Sequence, residues 1–297
     1  MNNVNKRGLT EEEFLADYDV SQYDRPSLSV DMLIFTIADE EKKNYRRLPE
    51  KALRLLLVKR RNHPFMNCWA LPGGFVQMEE SIEEAARRVL NEETEIGDIY
   101  MEQLYTWGDV HRDPRTRVIS TSYMALADSS RLSPGPGGDA GWFTVTCTLH
   151  QEQRTAIARG YVLQQLFKLN FLSEDESLSA MVRTVKTVKD KISRIERDIV
   201  ECNGMAFDHA KIIEYAIMRL RSKIEYTDIA FNLMPELFTL TELQQVYEVI
   251  LDTELLKANF RRKIADMVVE TDEYKKNAGH RPSKLFRFNS KWMKITD

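Results

Sequence analysis

Glu92 and Glu93 stand three and four residues after Val89 in the run Gly73–Ile96, GGFVQMEESIEEAARRVLNEETEI. On an α-helix those three positions share one face. Carboxylates at all three would converge on a point, and hard oxygen ligands so placed hold Mg²⁺ against a diphosphate and let it activate water. Here one of the three is a branched hydrocarbon. Val89 can neither ligate nor accept a proton, so Glu92 and Glu93 could hold a metal only weakly, and turnover should fall by orders of magnitude while phosphate binding partly survives. The competing reading is an ordinary charged helix. The entry Leu71-Pro72-Gly73-Gly74 argues against it, because paired glycines after a proline mark a tight loop turning into a helix.

Such a helix needs a sheet to hold it. Upstream, Ser29–Ile37 and Ala52–Arg61 alternate or run apolar with β-formers, and Asn67–Gly74 leads from them into the helix. Downstream, Ser129–Gly141 is a loop rich in turn formers. Between Thr146 and Gly204 the pattern gives two strands, GYVLQQLFKLNF and LSAMVRTVKT, around the acidic turn SEDES. The run KDKISRIERDIVE then reads as a short linker helix that contacts the second domain or a partner subunit. Val185, Val188, Ile192, Ile195 and Ile199 are spaced 3, 4, 3, 4, so a dimerising coiled-coil seam is a second parse. Cys202, Asn203 and Gly204 mark a boundary.

The positive charge collects near the end of the chain. From Lys257 to Lys294 there are eleven Lys and Arg against four Asp and Glu, although the whole chain carries a formal charge of −4. Such a stretch is an electrostatic footprint for phosphate backbones. Its elements come in a telling order. Phe207–Ile224 puts Ile212, Ile213, Ala216, Ile217 and Leu220 on one stripe, with Asp208 as N-cap. Thr239 and Glu242 form a capping box for a second helix whose Leu243, Val246, Tyr247 and Ile250 face inward. A third helix, KANFRRKIADMVV, buries Phe260, Ile264 and Met267 or Val268 and leaves Lys257, Asn259, Arg261, Arg262 and Lys263 outside. A hairpin with a polar KKNAGHRPSK tip follows, so three helices and two strands make a winged helix-turn-helix. The third helix would enter the major groove, where Arg pairs with guanine and Asn with adenine. Thr239 and Thr241 at the second helix are further DNA-binding candidates, and Lys275, Lys276, Arg281 and Lys284 on the hairpin would lie along phosphates or reach a minor groove.

A chain of 297 residues, 43% apolar and 30% charged, is of a size for two soluble domains. Cys68, Cys147 and Cys202 are odd in number and far apart, which suggests neither a disulfide framework nor a metal knuckle and fits a reducing cytoplasm. No apolar run approaches the ~20 residues of a membrane span, and the first residues lack the hydrophobic core of a secretory signal. The five histidines, His63, His111, His150, His209 and His280, are scattered without ligand spacing and read as surface or capping residues. Trp69, Trp107 and Trp142 read as core. Phe75, directly after the glycine pair, could stack on an adenine.

Glycine, five residues, glutamate, seven residues, arginine and a cluster of glutamates is the signature of the Nudix domain, and Gly74, Glu80, Arg88, Glu92 and Glu93 match it, with Val89 where the first clustered glutamate belongs. Taken with HRDPR (His111–Arg115), in which His111 stands for an expected glycine, and with the C-terminal run, the chain as a whole resembles the Nudix-related transcriptional regulator (NrtR) family. The resemblance implies an α+β chain: a Nudix-like α/β/α sandwich with a mixed sheet and linker helix in residues 1–203, and a winged helix DNA-binding domain in 204–297. It implies ADP-ribose or a related nucleotide as effector, genes of NAD metabolism as the regulated set, and a homodimer on a palindromic operator. No cofactor is required, and Mg²⁺ is doubtful. Motif position assigns Arg60, Arg112 and Arg115 to the diphosphate, Phe75 to the nucleotide, and Glu80, with Glu92 and Glu93, to the ligand's hydroxyls or a weak vestigial Mg²⁺. Arg88 is structural, bracing the glutamates. Two alternatives remain: a working Mg²⁺-dependent ADP-ribose or dinucleotide pyrophosphatase, and a regulator that senses a sugar or sugar phosphate.

Overall fold

The computed structural model describes residues 4–40, 50–132, 139–275 and 282–292. A short helix α1 (Glu11–Ala16) precedes the strands β1 (Ser27–Glu40), β2 (Glu50–Lys59), β3 (Trp69–Ala70) and β4 (Gly73–Phe75). Helix α2 (Ile82–Thr94) follows, then β5 (Tyr100–Trp107), β6 (Val118–Asp128), β7 (Ala140–Ile157), β8 (Gly160–Leu172), β9 (Ser177–Lys189) and β10 (Ile192–Asn203). These strands form one mixed sheet in the order β10-β9-β8-β7-β2-β1-β6-β5, with β3 beside β2 and β4 beside β1. β1 and β6 pair in parallel from Ser27↔Val118 to Ile37↔Asp128.

The period-2 alternation of β1 divides the core. Val30, Met32 and Ile34 point to one face and pack with Leu56, Ala85, Ala86, Val89 and Leu90 under α2. Leu33, Phe35 and Ile37 point to the other face, against the helices α3 (His209–Ile224) and α4 (Leu240–Leu251). The sheet is therefore sandwiched between helices, but the layer on this second face comes from beyond residue 203 and not from within residues 1–203. α2 begins at Ser81, whose hydroxyl accepts from the Glu84 amide while the Glu84 carboxylate accepts from the Ser81 amide. It ends on Glu95 at φ 57°, a left-handed position that glycine favours.

The C-terminal part continues through α5 (Lys257–Ile264) to a two-stranded wing, β11 (Val268–Lys275) and β12 (Ser283–Phe288). Phe238, just before α4, exchanges backbone hydrogen bonds with Phe286 of the wing (3.0 and 2.8 Å), which ties the wing to the start of that helix. α3 buries Ile212, Ile213, Ile217, Leu220 and Ile224 against the sheet and against α4. Each such side chain is worth about 1.5–3 kcal/mol relative to exposure. One apolar cluster consequently runs from Phe35 and Phe143 in the sheet, through Ile213 and Ile217, to Val246, Tyr247 and Phe260. The division at residues 203 and 204 thus falls between chain segments that share a core.

Several expectations are corrected. The run KDKISRIERDIVE is not a linker helix, since Asp190 at φ 56° opens a tight turn and residues from Ile192 form the edge strand β10, antiparallel to β9. The 3, 4, 3, 4 spacing straddles that turn, with Val185 and Val188 on one strand and Ile192, Ile195 and Ile199 on the next, so no coiled-coil seam exists. The third helix stops at Ile264 and passes through a single turn of 3₁₀ helix (Ala265–Met267) into β11, because Val268 and Val269 pair with Phe288 and Arg287. Asp208 occupies the N-cap position of α3 without capping it, its carboxylate being taken by Arg112 and Lys211. His209 is no surface residue: it is 5% exposed.

Candidate functional site

The signature helix and the turns around it open onto a cavity of about 250 Å³. β4 reaches it by a close approach of backbones: a side chain on Gly73 would place its Cβ 2.6 Å from the Val30 carbonyl oxygen, so only glycine lets β4 lie beside β1 here. Gly74 and Phe75 then form one wall.

Arg88 fixes that wall. It donates to both carboxylate oxygens of Glu80 (3.0 and 2.6 Å), to the Phe75 carbonyl (3.2 Å) and to Glu92 (3.4 Å). The hydrogen bonds from Arg88 hold the Glu80 carboxyl below its ordinary range, and Glu80 does not line the cavity. Arg88 therefore braces the glutamates, as the motif implied, and the charge of Glu80 is committed to the brace.

Val89 is 2% exposed and sits among Val30, Met32, Ile34 and Leu90, beneath Gly74, whose added Cβ would lie 3.6 Å from Val89 Cγ2. Glu92 points outward to Arg88, and Glu93 alone of the pair lines the cavity. Burial, then the Glu92 charge, pushes the Glu93 carboxyl upward. Among the described residues no three acidic, His or Cys side chains come together as a metal site. Two diverging carboxylates do not fit the near-octahedral oxygen shell that Mg²⁺ demands.

The opposite wall is cationic. Arg60 donates from Nε to the Pro64 carbonyl (2.8 Å) and lies over the Phe207 ring at 4.7 Å. Arg115 is held in a bidentate pair with Asp113 (3.0 and 2.7 Å), with its own amide also donating to that carboxylate (2.9 Å). Its guanidinium lies 5.8 Å from the Phe75 ring and 5.9 Å from the Phe207 ring. Burial and then the Arg115 charge pull the Arg60 guanidinium down. Two guanidiniums lining one cavity could take an anion between them, and a diphosphate there would relieve their repulsion.

Arg112 also lines the cavity, but it is 6% exposed and clasped between Asp31 (3.2 Å) and Asp208 (2.8 Å). Burial alone would depress its pKa; the two carboxylates more than offset that. Asp31 takes a further hydrogen bond from Ser120 (2.6 Å). Its neighbour His209 accepts the Leu71 amide at Nδ1 (2.9 Å), which places its proton on Nε2, 3.6 Å from Asp31. Burial holds this imidazole below its ordinary pKa, hence neutral.

Arg60, Phe75, Arg112, Arg115 and Glu93 are thus brought to one cavity, while Glu80 and Glu92 are not. Sequence reading missed Asp31, Asp113, Phe207 and His209. Asp31 carried a signal, an acid inside an otherwise apolar strand run; Phe207 and His209 carried none, since they lie far downstream and looked like the start of a helix in another domain.

On the C-terminal part, Lys257, Asn259, Arg261, Arg262 and Lys263 are all exposed on α5, with Asn259 accepting from Arg262 (3.2 Å) and Lys263 5.3 Å from the Tyr247 ring. Thr241 is exposed. Thr239 is buried, and both its hydroxyl and its backbone amide donate to the Glu242 carboxylate in the capping box, so neither is left for a phosphate. Lys275 pairs with Glu242 and Lys284 with Glu270. Arg281, Lys276 and His280 lie outside the described residues.

A family profile described as the NrtR DNA-binding winged helix domain matches residues 230–288, and one described as the NUDIX domain matches 35–166. The chain is 33% identical over 282 residues to the ADPR responsive transcriptional repressor NtrR of Acinetobacter baylyi, covering 94% of this chain and 88% of that one. Among solved structures, a MutT/nudix family protein from Enterococcus faecalis superposes with a TM-score of 0.65 at 26% identity, over 96% of this chain and 95% of the other. Shewanella oneidensis NrtR in complex with a 27mer DNA does so with 0.59 at 28% identity, over 88% and 93%. No described helix is long and apolar enough to cross a membrane. With both profiles in sequence and a repressor matched along nearly its whole length, this chain belongs to the Nudix-related transcriptional regulator (NrtR) family.

Proposed function

We propose that this protein is a DNA-binding transcriptional repressor that senses ADP-ribose through a Nudix-type cavity no longer suited to hydrolysis, acting as a homodimer on a palindromic operator among genes of NAD metabolism. The observation that carries the reading is Val89, sealed in the apolar core under Gly74, beside a cavity that keeps the arginine pair Arg60 and Arg115. The site retains what grips a diphosphate and lacks the carboxylate shell that would break it. An enzyme that consumed its effector quickly would blunt its own signal. The relatives support the reading: one is named a repressor responsive to ADPR, and another was solved on DNA.

Release from DNA requires the effector to prefer one arrangement of the protein over the other, and a swing from mostly bound to mostly free takes several kcal/mol of that preference. The exposed cations of α5 supply base contacts and phosphate contacts, and the wing supplies further phosphate contacts.

The test selects bound sequences from random DNA, then titrates ADP-ribose against the labelled site while phosphate release is followed with Mg²⁺ or Mn²⁺. Release at micromolar effector with negligible hydrolysis is expected. Retention on DNA at millimolar ADP-ribose, or turnover near one per second, which is ordinary for an enzyme, overturns the proposal in favour of another effector or of a pyrophosphatase.

A further inference from the structure

Three consecutive residues at the entrance to α3 meet the walls of the effector cavity: Phe207 and His209, which line it, His209 also accepting the Leu71 amide, and Asp208, which clasps the lining residue Arg112. They belong to the chain that leads through α3 to the DNA-binding helices. Phe207 is the odd member. Its backbone stands at φ 52°, a conformation costly for an aromatic residue and routine for asparagine. Such strain persists only where the surroundings impose it.

Two cations face the ring. The Arg60 guanidinium lies over it at 4.7 Å and that of Arg115 at 5.9 Å, with Phe65 packed against it at 4.7 Å and His209 at 5.4 Å. An aromatic face attracts a cation through its quadrupole, more strongly where water is excluded. One ring therefore serves as platform for both guanidiniums of the anion site, although burial and mutual repulsion work against holding Arg60 there.

We propose that Phe207 is the positioning residue of the effector site: its ring holds Arg60 and Arg115 in place for the diphosphate, and because it is anchored in the approach to α3, an anion that pulls the two arginines together acts directly on the segment leading to the DNA-binding domain. The inference rests on the repressor reading above for its effector, but its geometric part stands without it.

The experiment uses the full chain with Phe207→Asn, which suits the left-handed backbone and removes the ring, and Phe207→Tyr, which keeps it. Two measurements are made: the side-chain Nε–H resonances of Arg60 and Arg115 without ligand, and the ADP-ribose concentration that half-releases operator DNA, normalised to each variant's own effector-free affinity. In Phe207→Asn the Arg60 and Arg115 resonances shift and broaden, and the half-release concentration rises at least tenfold; Phe207→Tyr restores both. Unchanged arginine resonances in Phe207→Asn overturn the proposal whatever the effector. So does half-release at the wild-type concentration when the wild type itself responds. A wild type that ADP-ribose does not release refutes the repressor reading instead, and the resonances alone then decide the role of Phe207.

Discussion

Replacing Arg112 with methionine separates a structural clasp from a ligand contact. Arg112 is 6% exposed, and its partners Asp31 and Asp208 are 10% and 11% exposed, so the variant strands the Asp31 carboxylate out of water without its counter-ion and leaves Asp208 only Lys211, at 3.8 Å. Breaking a buried ion pair from one side costs about 3–5 kcal/mol, because an uncompensated charge stays behind. For a chain of this size 1 kcal/mol moves the melting temperature by roughly 2–4 °C, so Tm should fall by roughly 6–20 °C. The internal control is Arg87→Ala, which removes a pair with Glu83 whose members are 50% and 60% exposed; exposed pairs contribute about 0.2–1 kcal/mol. The triple variant Arg112→Met, Asp31→Asn, Asp208→Asn should recover part of the loss, since neutral amides in place of both carboxylates leave no charge unpaired. Urea unfolding followed by circular dichroism measures each. A loss below about 1 kcal/mol for Arg112→Met, accompanied by a large drop in ADP-ribose affinity, would refute the clasp and return Arg112 to the role of a diphosphate ligand.

Acid should weaken the same junction. His209 is neutral in the fold with its pKa depressed by burial, whereas the unfolded chain takes up the proton near 6.5. Its stabilisation is complete above that value and is lost as pH falls below it, by up to about 1.4 kcal/mol per unit. His209→Asn, which can still accept the Leu71 amide, should flatten that part of the Tm profile between pH 7 and 5. Glu95→Gly relieves the left-handed terminus of α2 and should stabilise the protein by about 1 kcal/mol; no gain in urea midpoint would mean that Glu95 is unstrained. Reversing Arg261 and Arg262 to glutamate should weaken operator binding by at least a hundredfold and lower the slope of log affinity against log salt by roughly 0.9 for each phosphate left unneutralised. Unaltered retention on DNA would remove α5 from the interface.

Local pattern was enough for the parts whose residues are neighbours in the chain. The signature from Gly74 to Glu93 lies within one loop and one helix, so resemblance to the Nudix motif was enough to mark Val89 as the missing carboxylate and Arg88 as a bracing residue. The capping box at Thr239 and Glu242, and the exposed cations of α5 between two buried apolar residues, were likewise written in periods of three and four.

Tertiary structure decided whatever depended on distant partners. Ile192–Asn203 has residues spaced as in a helix, yet the turn at Asp190 lays it against β9, and ladder hydrogen bonds outweigh a weak local preference. Arg112 and Glu80 were assigned to the ligand because charge is visible in a sequence and its counter-ion is not; only the fold put Asp31 and Asp208 beside the one and Arg88 beside the other. The cavity itself is shared between β1, the turns at Arg60 and Arg115, and the entrance to α3, distant segments that meet because one face of the sheet must be covered by apolar helix. Burial is a property of the whole chain, and it was burial that turned Arg112 into a clasp and His209 into a neutral acceptor.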